Sequence, residues 1–142
     1  MTLSSKTGIN PKIWGPYFWE TFHFTAFGYP KTPNSDDKEN YKSFYESFVK
    51  VIPCDKCSIS SQELFKNSNI SKSLNSRDDL IKWTYTFHKN VNNKLKKDSP
   101  TYEEFLNNFK NRNKDSGLSN LYYLLLFLVI FSIAVLFFMR CT

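Results

Sequence analysis

Apolar residues recur at helical spacing through the first part of this chain. The clearest case lies in residues 36–52, where apolar side chains follow the order i, i+3, i+4, i+7, i+8 and i+11: Tyr41, Phe44, Tyr45, Phe48, Val49 and Ile52. This spacing places all six on one face of an α-helix, because a helix turns once in 3.6 residues. No segment alternates between apolar and polar residues as a half-buried strand does. The pattern therefore predicts an all-α protein.

Proline residues mark where two further helices begin. Pro16 stands at a position typical of the first turn of a helix, and the predicted helix continues to Phe27. Pro53 ends the helix over 36–52, because its ring lacks the N–H that a helix interior needs. The next helix is predicted to begin at Cys54.

Two capping boxes predict where the last helices of the bundle begin. Ser76 precedes Asp79 by three residues, and Thr101 precedes Glu104 by the same distance. In each pair the two side chains can satisfy each other's exposed backbone N–H. The helix after Ser76 is predicted to reach Lys97 and to bury Leu80, Trp83, Phe87, Val91 and Leu95. Together these segments predict a four- to five-helix bundle.

An uncharged apolar segment at 118–139 follows the bundle. A run of about 20 such residues is long enough for a helix to cross the hydrocarbon core of a bilayer. Tyr122 and Tyr123 lie near one end and Arg140 closes the other, as residues at a membrane interface do. We therefore predict a C-terminal transmembrane helix in a single-pass membrane protein.

The predicted organisation has five parts. They are a flexible N-terminus at 1–12, a helical domain at 13–110, a linker at 111–117, the transmembrane helix at 118–139 and a tail at 140–142. Basic residues just before the span place the N-terminal domain on the cytosolic side of the membrane.

The net charge of +6 raises the question of nucleic-acid binding. The basic residues, however, are scattered and interleaved with acidic ones, as at Lys38-Glu39 and Lys97-Asp98. No recognition motif is present, so we expect no nucleic-acid partner. The many Phe, Tyr and Trp residues suit both a small core and a site for a flat cofactor.

Cys54 and Cys57 are the candidate reactive residues. Their spacing lets the sulfurs meet in the first turn of a helix, where exposed N–H groups and the helix dipole stabilise a thiolate. A zinc site would need two more ligands, and His23 and His88 are the only histidines. We favour a redox-active disulfide with an electron acceptor in the same bundle, and no metal. The alternative is a membrane-anchored zinc-binding or structural adaptor without oxidase activity.

Four segments of the chain, in order, resemble the Erv/ALR family of FAD-linked sulfhydryl oxidases, including its viral members. Residues 14–30 read W-G-P-Y-F-W-E-T-F-H and end on Y-P, and residues 52–57 read I-P-C-D-K-C. Residues 83–95 read W-T-Y-T-F-H-K-N-V-N-N-K-L, and residues 102–105 give a weaker trace, Y-E-E-F. The ordered set covers residues 13–105 and is more specific than any one segment.

The resemblance implies a helical bundle that binds FAD beside the cysteine pair. It implies these cofactor contacts: Trp14, Trp19, His23, Tyr29, His88, Val91, Asn92 and Lys94. It also implies that Cys54 exchanges with substrate thiols and that Cys57 passes electrons to the flavin, with O2 as final acceptor and hydrogen peroxide as product. A homodimer and, for a viral protein, a place in the host cytoplasm or virion membrane are implied in the same way.

This chain departs from the family pattern in three respects. Lys89 stands where the family has an asparagine, and a structural disulfide is absent from the positions near Tyr85 and Tyr102. The extra shuttle cysteines of cellular members are also absent, because Cys141 lies alone beyond the predicted span. We therefore expect the Cys54–Cys57 disulfide to take electrons directly from dithiol substrate proteins.

Overall fold

A computed structural model of the chain describes the backbone of residues 10–141 and the side chains of residues 10–112, 121–133 and 139–140. Every regular element in these residues is an α-helix, which confirms the predicted all-α class. The chain forms two units, Met1–Ser99 and Pro100–Thr142. The side chain of Cys141 lies outside the described residues.

The first unit contains four long helices and one single turn within its described residues. The helices are α1 (Pro11–Phe27), α2 (Ser35–Lys50), α3 (Asp55–Asn67), the single turn α4 (Ile70–Ser73) and α5 (Arg77–Lys94). The second unit contains α6 (Tyr102–Cys141). The four long helices correspond to four predicted ones, whereas the turn α4 was not predicted and the predicted short last helix is the beginning of α6.

Helix α1 begins earlier than the sequence predicts. Asn10 is its N-cap, and the side-chain oxygen of Asn10 accepts from the backbone N–H of Lys12 at 2.9 Å. Pro11 takes the first helical position, where a missing N–H costs nothing. The predicted start at Pro16 is therefore wrong, and Pro16 lies inside the helix.

The core of the first unit forms where α1, α2 and α5 meet around Phe22. The ring of Phe22 lies 4.9 Å from that of Tyr45, 5.6 Å from that of Trp83 and 5.4 Å from that of Phe87, centroid to centroid. Such aromatic pairs each contribute about 0.5–1.5 kcal/mol beyond the burial of their area. The buried Tyr45 hydroxyl donates to the Phe22 carbonyl at 3.1 Å, so its burial leaves no unpaired group.

The predicted apolar face of α2 is confirmed, because Tyr45 and Val49 are buried. The helix ends at Lys50 rather than at the predicted residue 52, and Ile52 is buried just beyond it. The cap of α5 is also confirmed: Ser76 Oγ accepts from the backbone N–H of Asp79 at 3.2 Å. The predicted buried face of α5 is confirmed only in part. Leu80, Trp83 and Phe87 are buried, but Leu95 is 58% exposed.

Helix α5 ends in a Schellman motif whose left-handed residue is a lysine. Lys96 has a φ of 54°, and its N–H donates to the Asn93 carbonyl at 3.1 Å. The N–H of Lys97 donates to the Asn92 carbonyl at 2.9 Å, which completes the motif. The helix therefore ends at Lys94 rather than at the predicted Lys97.

Helix α6 begins where the sequence predicts and continues much further. Thr101 Oγ1 accepts from the backbone N–H of Glu104 at 3.3 Å, and the Glu104 carboxylate accepts from the N–H of Thr101 at 2.7 Å. The predicted short helix and linker are replaced by one helix to Cys141. Residues 111–117 contain no proline, and a single glycine is tolerated within a helix.

The predicted transmembrane helix is not confirmed. In the part of the chain whose side chains are described, no helix offers an apolar stretch long enough to cross a membrane. The predicted span 118–139 lies only partly within those residues.

We predict that Lys96→Gly raises the free energy of unfolding by about 0.5–1 kcal/mol, because glycine adopts the left-handed conformation without the steric cost that a Cβ carries. Urea unfolding of the wild type and the variant measures the difference. The matched control is Lys82→Gly at an exposed position inside α5, which should lower the free energy of unfolding by about 1 kcal/mol. A Lys96→Gly variant less stable than the wild type would contradict this account of the helix end.

Candidate functional site

A cavity of about 420 Å³ opens in the first unit. Its volume lies within the range of small-molecule and cofactor sites. Its walls are mostly aromatic and aliphatic, with these rings and chains: Trp14, Phe18, Trp19, Phe22, Phe48, Val49, Ile52, Phe87, Val91 and Leu95. Its polar and charged lining comprises Lys12, Cys57, Ser61, His88, Asn92 and Lys97. Such a lining suits a flat ring system that carries polar or anionic groups.

Cys54 and Cys57 form a disulfide at the start of α3, with their Cα atoms 5.2 Å apart. Cys57 lines the cavity, whereas Cys54 is not part of its lining. Cys54 is the N-cap of α3, and its Sγ accepts from the backbone N–H of Cys57 at 3.2 Å. A thiolate on Cys54 is therefore stabilised by the helix N-terminus when the disulfide opens. The two sulfurs thus have different environments, one at the cavity and one at the helix end.

A buried serine holds this end of α3 against the end of α2. Ser58 Oγ lies 2.9 Å from the Val49 carbonyl oxygen and 3.1 Å from that of Lys50. Its single hydroxyl proton is thereby shared between two carbonyls that the last turn of a helix leaves without a backbone partner. Because Ser58 directly follows Cys57, this contact sets the position of Cys57 against the cavity wall formed by α2. Ser58 was not predicted as a site residue, since a serine inside a helix has no distinctive pattern in the sequence.

The two histidines are hydrogen-bonded to each other. His23 Nε2 and His88 Nδ1 are 2.9 Å apart, and His23 Nδ1 lies 3.1 Å from Thr84 Oγ1. His88 lines the cavity, whereas His23 is buried and is not part of the lining. Trp19 stacks on His88, with ring centroids 3.7 Å apart and planes inclined by 8°. Trp19 and His88 therefore form one paired aromatic surface at the cavity, and His23 supports it.

Burial keeps both histidines neutral at physiological pH. Burial, followed by the proximity of His88, lowers the pKa of His23 to about 3. Burial, followed by the proximity of Lys97, lowers the pKa of His88 to about 4. Both values lie well below the ordinary histidine pKa of 6.5. The pair therefore acts through neutral hydrogen bonding and stacking rather than as cations.

Three other predicted cofactor contacts also line the cavity: Trp14, Val91 and Asn92. The Asn92 side-chain amide donates to Ser99 Oγ at 3.1 Å, so its orientation is set by the chain that follows α5. Lys89, where the chain departs from the family pattern, is exposed and is not part of the lining. That departure therefore leaves the cavity wall unchanged.

Tyr29 and Lys94, the other two predicted contacts, are not part of the lining. The Tyr29 side chain is fully buried, and its hydroxyl donates to the Leu74 carbonyl at 2.9 Å. The Lys94 ammonium lies 3.4 Å from Ser60 Oγ and 3.8 Å from a carboxylate oxygen of Glu63. In this structure Tyr29 serves the packing of the bundle, and Lys94 contacts α3.

Two lysines that no sequence pattern singled out, Lys12 and Lys97, also line the cavity. Lys97 reaches it because the left-handed conformation of Lys96 reverses the chain after α5. A glycine at position 96 would have signalled this turn, but a lysine does not. Two ammonium groups beside aromatic walls suit a ligand that joins flat rings to anionic groups.

Comparisons with known proteins agree on one family. Residues 16–113 match the sequence profile of the Erv1 / Alr family. A probable FAD-linked sulfhydryl oxidase of Acanthamoeba polyphaga mimivirus is 39% identical over 97 residues, which cover 68% of this chain and 68% of the relative. An FAD-linked sulfhydryl oxidase of African swine fever virus is 31% identical over 94 residues, which cover 66% of this chain and 77% of the relative.

Solved structures give the same result for the fold. The yeast Erv1 core is similar with a TM-score of 0.62 and 25% identity, over 67% of this chain and 79% of that one. The FAD binding domain of Erv1 from Saccharomyces cerevisiae is similar with a TM-score of 0.60 and 26% identity, over 64% of this chain and 85% of that one. The helical arrangement around the cavity is thus shared with proteins of known structure.

We predict that the protein loses stability on mild acidification. Between pH 7 and pH 5 the folded histidines stay neutral, because their pKa values are about 3 and about 4. The unfolded chain takes up protons at both histidines below pH 6.5, so acid favours unfolding. Each histidine contributes up to about 1.4 kcal/mol per pH unit, and the free energy of unfolding should fall by roughly 2–4 kcal/mol.

Urea unfolding at pH 7, 6 and 5 measures this loss. Glu46 and Glu104 have lowered pKa values, so their carboxylates stabilise the fold. That stabilisation is lost only as the pH falls below the ordinary glutamate pKa of 4.5, which lies outside this range. His88→Gln is the control. It removes one of the two histidines, so the fall in the free energy of unfolding between pH 7 and pH 5 should be about half as large. A free energy of unfolding that stays constant from pH 7 to pH 5 would show that the histidines are not kept neutral by burial.

Proposed function

Because this chain belongs to the Erv1/Alr family, we propose that it is an FAD-dependent thiol oxidase that forms disulfide bonds in partner proteins. The observation that carries this function is the placement of Cys57. One sulfur of a reactive disulfide lines an aromatic cavity, and the other lies at a helix N-terminus outside it. A redox disulfide with one sulfur at a cofactor site is what a thiol oxidase requires.

The residues around the cavity fit FAD. Rings such as Trp19 and Phe48 offer flat surfaces for the two ring systems of the cofactor. Lys12 and Lys97 offer cationic donors for its diphosphate. His88 and Asn92 add hydrogen-bonding groups to an otherwise apolar wall. When bound, FAD supplies acceptance of an electron pair and its transfer to O2, with hydrogen peroxide as the product.

The chain's own residues carry out the thiol chemistry. A substrate thiolate attacks Cys54 Sγ and forms a mixed disulfide, and the Cys54–Cys57 bond breaks with its electron pair on Cys57. A second substrate thiolate then attacks the substrate sulfur of the mixed disulfide. The substrate leaves as a disulfide, and Cys54 leaves as a thiolate that the N-terminus of α3 stabilises. The two electrons of the substrate dithiol now reside on the cysteine pair, at the wall of the cavity.

The comparisons favour this function over a zinc-binding or structural adaptor. Both Cys54 and Cys57 are engaged in one disulfide, so neither sulfur is a thiolate ligand in this state. The two histidines that would complete a zinc site are hydrogen-bonded to each other instead. Dithiol proteins as substrates and O2 as acceptor fit the family.

A homodimer remains a prediction. Three apolar residues of α1 support it, since Ile13, Tyr17 and Phe24 are 62%, 68% and 41% exposed. Their spacing places them along one side of the helix. Exposed apolar residues grouped in this way are typical of protein–protein contacts.

We also propose that the apolar segment 118–139 anchors the chain to a membrane. The support comes from the sequence, which contains no charged residue in this segment. Within it, residues 121–133 have exposed side chains, among them Leu125 and Phe131. An anchor would place disulfide formation at a membrane surface, and the viral relatives make a host or virion membrane the proposed location.

We predict that Cys57→Ser retains bound flavin but loses thiol oxidation by more than about 100-fold, because the serine leaves the cavity shape nearly unchanged and removes the sulfur that receives the electron pair. The purified wild type should be yellow, bleach with dithiothreitol without air, and recover its colour in air. Oxygen consumption with dithiothreitol measures turnover in both proteins, and Cys141→Ser is the matched cysteine control with turnover retained. A wild-type protein that stays colourless after addition of FAD would overturn the proposed oxidase.

We predict that the full chain sediments with membranes and resists extraction by alkaline carbonate. A chain of residues 1–117 should stay in the supernatant, because it lacks the apolar segment. The double variant Leu125→Lys and Phe131→Lys keeps the length of the chain, but each central charge opposes insertion by about 2.5–3.5 kcal/mol. Release of the wild-type chain by carbonate, to the same extent as the double variant, would exclude the anchor.

A further inference from the structure

The hydroxyl of Thr84 determines the direction of a buried chain of hydrogen bonds. Thr84 is fully buried, and its Oγ1 lies 2.9 Å from the Ile81 carbonyl oxygen and 3.1 Å from His23 Nδ1. A carbonyl oxygen only accepts, so the single hydroxyl proton of Thr84 is donated to Ile81. The threonine oxygen can then only accept from His23. The proton of the His23 ring therefore lies on Nδ1.

This assignment extends from one histidine to the other. A neutral imidazole carries one N–H, so His23 Nε2 has a lone pair and accepts. Its partner at 2.9 Å, His88 Nδ1, must be the donor. The proton of the His88 ring is therefore also on Nδ1, and His88 Nε2 carries a lone pair. Burial supports the neutral state of both rings, since it is the largest cause of their lowered pKa values.

The lone pair on His88 Nε2 is available to a ligand. His88 lines the cavity, and its Nδ1 is directed to His23, which lies behind the wall. Trp19 covers a face of the ring. Within the described side chains His88 Nε2 has no hydrogen-bond partner. The ring edge that bears Nε2 therefore remains for a molecule in the cavity.

We propose that Thr84 is a positioning residue that fixes the tautomers of His23 and His88, so that His88 Nε2 accepts a hydrogen bond from the bound cofactor. This inference rests on the proposed function, because FAD is the ligand considered. FAD offers suitable donors in its ring N–H, amino and hydroxyl groups. A ligand group that can only accept would meet the His88 lone pair and bind less well.

Two variants of Thr84 separate the hydroxyl from the shape of the side chain. Thr84→Val keeps the branched shape and lacks the hydroxyl, whereas Thr84→Ser keeps the hydroxyl. The full chain contains only two histidines, so selective ¹⁵N-histidine labelling gives four ring signals for NMR. Those signals report directly which nitrogen of each ring carries the proton. The tautomer measurement is made both with and without bound FAD.

In the wild type and in Thr84→Ser, we expect the proton on Nδ1 of both histidines. In Thr84→Val, the Nε2–H tautomer of His23 should become populated and should reverse the donor role of His88. The Kd for FAD should rise about 3- to 10-fold in Thr84→Val, the loss expected for one hydrogen bond, and stay near the wild-type value in Thr84→Ser.

Several results would overturn the proposal. A wild-type His88 with its proton on Nε2 does so without any variant, even if Thr84→Val fails to fold. Unchanged tautomers in Thr84→Val exclude the role of Thr84, and changed tautomers with an unchanged Kd exclude the acceptor role of His88. Equal weakening of FAD binding in Thr84→Val and Thr84→Ser shows a packing effect instead. If the wild type binds no FAD, the proposed function fails, but the tautomers measured in the flavin-free protein still test Thr84.

Discussion

The packing of α1 against α5 around Phe22 is the contact on which the rest of the structure depends. The Phe22 and Phe87 rings lie 5.4 Å apart in the core, and His23 and His88 are the residues that directly follow them. Because consecutive helix residues differ in direction by a fixed angle, a core contact between the two rings also sets the distance between the histidines. The apolar core thus determines the geometry of the polar pair beside it.

A second constraint positions the sulfur chemistry. The cysteine pair lies at the start of α3, where Cys54 is the N-cap and Cys57 is in the first turn, and Pro53 lies in the short turn after α2. Ser58 satisfies the carbonyls at the end of α2 and so couples the reactive turn to the cavity wall. The hydrogen bonds that satisfy two helix ends therefore also keep Cys57 at the cavity. Stability and function share the same few polar contacts here.

The thiol oxidase function depends on the different positions of the two cysteine sulfurs. In the proposed mechanism, substrate thiols react at Cys54, whose thiolate the helix N-terminus stabilises, and the electron pair is received by Cys57 on the cavity side. The aromatic walls offer flat surfaces, while the neutral histidines add directional hydrogen bonds without charge. Neutrality matters in this setting, because a buried imidazolium beside Lys97 would carry both a desolvation cost and a repulsion.

Periodicity, capping pairs and the cysteine spacing were enough to predict an all-α bundle, most helix boundaries and the reactive pair, because these features depend on residues close together in the chain. Of the eight cofactor contacts that the family resemblance implied, five line the cavity and His23 is hydrogen-bonded to one of them. Tyr29 and Lys94 lie elsewhere, and the Tyr29 hydroxyl donates to a carbonyl in the core. Only the tertiary structure decided that Lys97 reaches the cavity, that Ser58 joins two helices and that Thr84 orients two histidines. These depend on a left-handed lysine and on contacts between distant segments, which no local pattern encodes.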